Sequence, residues 1–290
     1  MYRSLEEICE AAEGSSFYEA VLADDCKERG IKEVESKAQM RAMYEAMKQA
    51  DAGYEAKRVS ASGLAGTDGE KLAQARAQKK LICGDLIGLV MEKAVKMGES
   101  NACMKRIVAA PTAGACGVLP AVLVPYFQKR CRDTDKILKA MYVAAGIGQI
   151  IAIRSSISGA AGGCQAEIGS ASSMAAGALT YLQGGNCEQI ATAAAMAMKN
   201  LLGLVCDPVA GLVEVPCVKR NVIGTVNAMA CADMAMAGIV SRIPPDQVMD
   251  AMKEVGDKMD ASLRETALGG LAQTEEGMKI AEKMHASYEN

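Results

Sequence analysis

The 290-residue chain has no tryptophan, only two phenylalanines and a single histidine, and aromatic residues make up 3% of it. That shortage excludes an aromatic-rich β-sandwich core. The interior has to be filled by Ala, Leu, Ile, Val and the 19 methionines, and 28 glycines point to closely packed helices. One histidine argues against His-rich zinc catalysis and against any mechanism that draws two imidazoles from this chain. Charge of one sign is also missing: a formal net charge of −3 with 23% charged residues fits neither a disordered tail nor a nucleic-acid binder. Residues 1–15 carry Glu6, Glu7, Glu10 and Glu13 with no basic cluster or apolar run, so no secretory signal is visible. A cytoplasmic protein with reduced thiols is expected. What the chain does have is eleven cysteines, an odd number that cannot all pair, in a chain too long for a small disulfide scaffold.

Helix punctuation is clear in the first half. Ser4 and Glu7 have capping-box spacing, as do Ser16 and Glu19, and Gly30 reads as a helix stop. Met40, Met43, Tyr44 and Met47 form an apolar stripe that ends at Gly53. Asp85 is expected to cap a helix with Leu86, Leu89, Val90, Ala94 and Met97 inward and Gly98 closing it. Pro244 and Pro245 open another, with Val248, Met249, Met252, Val255 and Met259 inward. From Tyr142 to Met198 the only charged residues are Arg154, Glu167 and Glu188, so this stretch is expected at the centre of a bundle. Val222–Val240 is nearly all apolar or small, but Asn227 and Asp233 within it favour a buried helix over a membrane span. Leu212–Val218 is the best extended candidate. The fold class is therefore read as all-α: packed helices rich in small residues, interrupted by Gly/Pro loops.

Those loops are where backbone can approach a ligand. They read Ser60–Gly69, Ala110–Gly117, Ser158–Glu167 and Cys206–Cys217, and none matches a phosphate-binding loop. The first offers hydroxyls and amides suited to a carboxylate. Cys9, Cys26, Cys83, Cys103, Cys131, Cys187 and Cys231 lie in helical or mixed stretches and read as packing thiols. Cys164, Cys206 and Cys217 sit beside Gly or Pro in loops or extended segments, and three such thiolates suit a soft metal or an iron–sulfur cluster. Their intervals of 41 and 10 residues, following from positions 164, 206 and 217, are unlike a compact ligand run, so spacing alone leaves the metal open.

Three segments together resemble one family: Ala110-Pro-Thr-Ala-Gly114, Gly163-Cys-Gln-Ala-Glu-Ile-Gly169, and the long run from Leu202 through Cys206-Asp-Pro and Val215-Pro-Cys217 to Asn221. They are similar to the α chain, or catalytic half, of the iron–sulfur-dependent L-serine dehydratases, over about Ser60 to Gly270. The resemblance implies a single domain, with residues 1–58 as peripheral helices, 59–270 as the cluster-binding core and 271–290 as a polar tail. It implies a [4Fe–4S] cluster held by Cys164, Cys206 and Cys217, with the fourth iron open to L-serine as a Lewis acid. The implied reaction is β-elimination of water, then hydrolysis to pyruvate and ammonia, with no pyridoxal phosphate. Lys199 is then a local charge rather than a cofactor anchor. By the same resemblance, Ser62, Gly63, Thr67, Asp68 and Lys71 are substrate-binding candidates, with Thr112, Gly114, Arg220 and Asn221 as further donors.

Departures from the family pattern matter equally. Cys116 stands where the Pro-Thr motif usually has a small apolar residue, and it reads as structural. The Ser-Ser-Ser-His-Thr motif of the complete enzyme is absent; in the family it belongs to a β domain or β chain. The lone His285 falls in a polar stretch near the C-terminus, and no cysteine follows Cys231. Together these imply an α/β enzyme whose general base is not evident in this chain. Two alternatives remain at this point: a cluster-dependent L-cysteine desulfidase, and a non-catalytic thiolate zinc module.

Overall fold

Helix ends follow local chemistry where a cap is available. In the computed structural model, which describes residues 1–288, α1 (Leu5–Ala11) is opened by Ser4, whose hydroxyl accepts from the Glu7 N–H, while the Glu7 carboxylate accepts from the Arg3 N–H. In α2 (Phe17–Arg29), Gly30 closes the helix in the left-handed conformation, as expected. Its start differs from expectation: the Ser16 hydroxyl donates to the Glu19 carboxylate and caps no backbone N–H. Next come α3 (Glu33–Ala52), α4 (Asp68–Ala77), α5 (Gly84–Ala102), α6 (Val118–Tyr126) and α7 (Thr134–Arg154). The short α8 (Gly159–Gly162) leads through a π-helical turn at Gln165–Gly169 into α9 (Ser170–Leu182). After these follow α10 (Cys187–Lys199), α11 (Cys217–Met236), α12 (Pro245–Lys258) and α13 (Glu275–Tyr288). Among the described residues there is no β-strand, only isolated bridges at Val59–Gly66 and Cys206–Arg264, so the fold is all-α.

The charge-poor stretch does occupy the centre. Helix α9 packs between α7 and α10, and α11 lies across α9 and α5. Ala, Ile and Leu fill the space between them: Ile147, Ile150, Ile168 and Ile190 are each essentially inaccessible. Small residues permit this spacing. A side chain at Gly98, for instance, would lie 3.2 Å from the Val218 backbone. Gly98 is thus where α11 crosses α5 closely, and it does not end α5, which runs on to Ala102. Asp85 lies inside the first turn of α5 and pairs with Arg76 and Lys129 instead of capping. Leu89, Val90, Ala94 and Met97 are buried as expected, and so are Val248, Met249 and Met252 of α12, which opens with Pro245 in its first turn. Met43 of the expected α3 stripe is 46% exposed, whereas Tyr44 and Met47 are buried.

The apolar stretch near 222–240 forms most of α11, and its polar residues are spent on helix contacts. Asn227 donates to the Ser172 hydroxyl and to the Ala197 carbonyl, and Asp233 accepts from Gln183. Among the described residues one helix, α7, is long and apolar enough to cross a membrane by length and composition, yet 67% of its apolar stretch is buried inside the protein. The expected extended segment at Leu212–Val218 is not a strand: a turn carries the cis Val215–Pro216 bond, and Cys217 begins α11. The expected polar tail is mostly the helix α13, which packs on the Val209–Gly211 turn between Cys206 and Cys217.

Candidate metal centre

Three backbone devices bring the thiols together. Gly163 takes φ +73°, and a side chain there would lie 2.8 Å from the Leu204 carbonyl; this tight turn presents Cys164 at the start of the π-helical segment. Cys206 is held in extended backbone: its N–H donates to the Leu263 carbonyl, and its own carbonyl accepts from the Glu265 N–H. Cys217 is the first residue of α11, where the helix N-terminus favours a thiolate. All three cysteines are buried.

The Cys164 and Cys206 sulfurs and a Glu167 carboxylate oxygen lie within 4.8 Å of one another. Cys217 stands outside that trio but in electrostatic contact with Cys164 and Arg220. A hydrogen bond from Cys206 pulls the Cys164 thiol below the usual range, with the Arg220 guanidinium helping. Cys206 therefore keeps the proton of the pair. Burial pushes Cys217 up to about 12. Glu167, half-buried, has its carboxyl held above the ordinary range by desolvation, with the nearby Glu265 charge adding to it.

The surroundings fit a soft-metal group. Two thiols converge with one carboxylate, the buried Cys217 stands alongside, and the buried Arg220 offsets charge at the Cys164 sulfur. Glycine keeps the space clear: a methyl on Gly159 would lie 2.8 Å from the Glu167 carboxylate, 3.2 Å from Cys206 Sγ and 3.2 Å from the Glu265 carboxylate. A methyl on Gly114 would lie 3.3 Å from Glu167 Oε1 on another side. Cys116 is fully buried, with its Sγ 3.9 Å from the Met97 carbonyl, and packs rather than joining the site.

The other sequence candidates divide into three groups. Thr112 and Gly114 border Glu167, and the Thr112 hydroxyl is buried near that carboxylate without a well-formed hydrogen bond. Arg220 and Asn221 are buried but already engaged. Arg220 donates to the Val205 carbonyl at 2.7 Å and to Asp207 at 2.8 Å. Asn221 donates to the Gly114 and Cys217 carbonyls and accepts from the Gly117 N–H, tying the Pro-Thr loop to α11. Both act as struts under the thiols rather than as free donors.

Ser62 is engaged by a residue that sequence reasoning missed. Glu214, between Cys206 and Cys217, is buried and accepts from the Ser60 hydroxyl at 2.7 Å and the Ser62 hydroxyl at 2.6 Å. Gly63, Thr67, Asp68 and Lys71 lie further along that loop. Gly63 is exposed, and Thr67 holds a left-handed φ of 70°. Asp68 pairs with Lys71 and with Lys219 of α11, and these two lysines hold its carboxyl below the usual range. The α4 N-terminus, which could have received a substrate carboxylate, is filled by the buried Glu99, which accepts from the Asp68 and Gly69 N–H groups. Lys199 donates to the Ser241 hydroxyl. His285 is exposed on α13.

An all-helical protein with a buried thiol–carboxylate centre of this kind is the class that fold and site define. The serine dehydratase alpha chain family model matches residues 12–272, and the chain belongs to that family. It is 51% identical over 225 residues to the "Probable L-serine dehydratase, alpha chain" of Bacillus subtilis, covering 78% of this chain and 75% of that one. It is 50% identical over 201 residues to the "L-serine dehydratase, alpha chain" of Peptoniphilus asaccharolyticus, covering 69% of each. "L-serine dehydratase 1" of Escherichia coli is 46% identical over 181 residues, which is 62% of this chain but only 40% of that longer protein.

Proposed function

We propose that this chain is the α chain of an L-serine dehydratase, a lyase that converts L-serine to pyruvate and ammonia. The observation that carries this is the convergence of Cys164, Cys206 and Glu167, with Cys217 alongside, in a member of that family. Cys164, Cys206 and Cys217 are the residues that would hold a [4Fe–4S] cluster. When bound, the cluster supplies an iron without a protein thiolate as a Lewis acid for the departing hydroxyl.

The chain's own residues supply the rest. Arg220, fixed by Asp207, offsets the thiolate charge in a low-dielectric setting. Gly114 and Gly159 leave room for substrate beside Glu167. Because burial keeps the Glu167 carboxyl protonated further up the pH scale than an exposed one, its Oε is suited to giving a proton to the leaving oxygen, which departs as water. Glu214 aligns the Ser60 and Ser62 hydroxyls, and the Ser62–Lys71 loop with Thr112 forms the remainder of the L-serine site. A base from a β chain takes the Cα proton. The names given to the relatives favour this partner: those called alpha chain are matched over most of their length, whereas the longer Escherichia coli protein extends well beyond the match.

The test is pyruvate release from L-serine by anaerobically reconstituted protein, with and without the β chain. Turnover that appears or rises steeply on adding the β chain is expected. A cluster-loaded α/β mixture that releases no pyruvate would overturn the assignment.

A further inference from the structure

Away from the metal centre, two of the cysteines read as packing thiols meet at the surface. Cys9 on α1 and Cys187, the first residue of α10, are 178 positions apart in sequence, by subtraction of their numbers, yet they line one cavity and their thiols are close enough to shift each other's titration. Both are only partly buried. Both line one open cavity of about 380 Å³, together with Glu13, Ser16, Tyr181 and Asn186, which gives small solutes a way in to this pair of residues. The setting favours one thiol over the other. Cys187 sits at the N-terminus of a 13-residue helix fixed by a full capping box, Asn186 with Gln189, and its sulfur also accepts from the Phe17 backbone N–H. Cys9 faces the acidic Asp246 and Glu188.

From this geometry we infer that Cys9 and Cys187 form a dithiol site that takes low-molecular-weight disulfides and closes into a Cys9–Cys187 disulfide. The asymmetry of the pair sets the order of events. The neighbouring Cys9 thiol brings the Cys187 thiol down to about 7, while Cys9 itself is pushed up. The Cys187 thiolate attacks one sulfur of the incoming disulfide, forming a mixed disulfide and expelling one thiolate. Cys9 gives up its proton and attacks the Cys187 sulfur, expelling the second thiolate. In total two protein thiols are oxidised to one disulfide, the added disulfide is reduced to two thiols, and two protons move to the products. The link would staple α1 to α10.

The two cysteines can be followed without interference from the other nine. Cleavage after glutamate releases Cys9 in residues 8–10 and Cys187 in residues 168–188, each the single cysteine of its peptide. The full chain, cluster loaded and kept anaerobic, is incubated with oxidised glutathione, its free thiols are blocked, and the digest is read by mass spectrometry. The expected result is the cross-linked pair of peptides in the wild type, and in Cys9→Ser a glutathione mixed disulfide on residues 168–188. Either of two wild-type results overturns the inference: both peptides carrying the blocking group, or glutathione held on Cys187 with no cross-link.

Discussion

Gly159→Ala is the substitution that most cleanly separates the metal centre from the stability of the fold. Gly159 does not take a left-handed φ, so the backbone accepts alanine. The three atoms nearest the added methyl are all side-chain ends: Glu167 at 2.8 Å, Cys206 Sγ at 3.2 Å and Glu265 at 3.2 Å. Overpacking a tight interior costs about 1–3 kcal/mol, and the flexible Glu167 carboxylate places this site at the low end. Removing a helical glycine returns up to about 0.5–1 kcal/mol. The net cost is therefore about 1 kcal/mol or less, a shift of a few degrees at most in the Tm of the metal-free chain. The same methyl sits against Cys206 Sγ and the Glu167 carboxylate of the centre, so iron and acid-labile sulfide after anaerobic reconstitution should fall severalfold. Wild-type iron content with wild-type turnover would refute the reasoning that this face of Gly159 borders the cluster. A large drop in Tm would refute the argument that the contact is confined to flexible groups.

Three other perturbations probe the supports of the site. Arg220→Ala leaves Asp207 as an uncompensated buried charge and should cost about 3–5 kcal/mol in urea unfolding of the metal-free chain; a loss under about 1 kcal/mol would show the pair to be unimportant. Because the folded-state value of Glu167 is raised, the folded metal-free chain holds that proton to higher pH than the unfolded chain does. Stability therefore falls as pH rises from the ordinary carboxylate value through the raised one. Glu167→Gln should flatten that fall, and an unchanged stability–pH curve would contradict the burial argument. Glu214→Ala releases the Ser60 and Ser62 hydroxyls and should raise the KM for L-serine about tenfold with a smaller change in kcat; an unaltered KM would remove this loop from the substrate site.

What the sequence made legible follows the range of the interactions. Gly30 and Pro245 mark helix ends because the cap lies within the same few residues. Gly98 was misread as a stop because its reason is the approach of α11, more than a hundred residues later in the chain. Asp85 was misread as a cap because Arg76 and Lys129 compete for its carboxylate. At the site, the three cysteines stood out through their loop contexts and the family motif. Glu167 did not, although a lone carboxylate three residues from Cys164 in a stretch almost free of charge was a usable signal. The engagement of Arg220 with Asp207, and of Glu214 with Ser60 and Ser62, joins segments that only the folded chain brings together, and no local pattern announces it.

The most direct measurement is iron, acid-labile sulfide and zinc in anaerobically purified protein, made for the wild type and for four serine variants. The wild type should carry iron and sulfide together, Cys164→Ser, Cys206→Ser and Cys217→Ser should each lose both, and Cys26→Ser should keep them. Bound zinc without sulfide in the wild type, or equal loss in all four variants, would contradict the account.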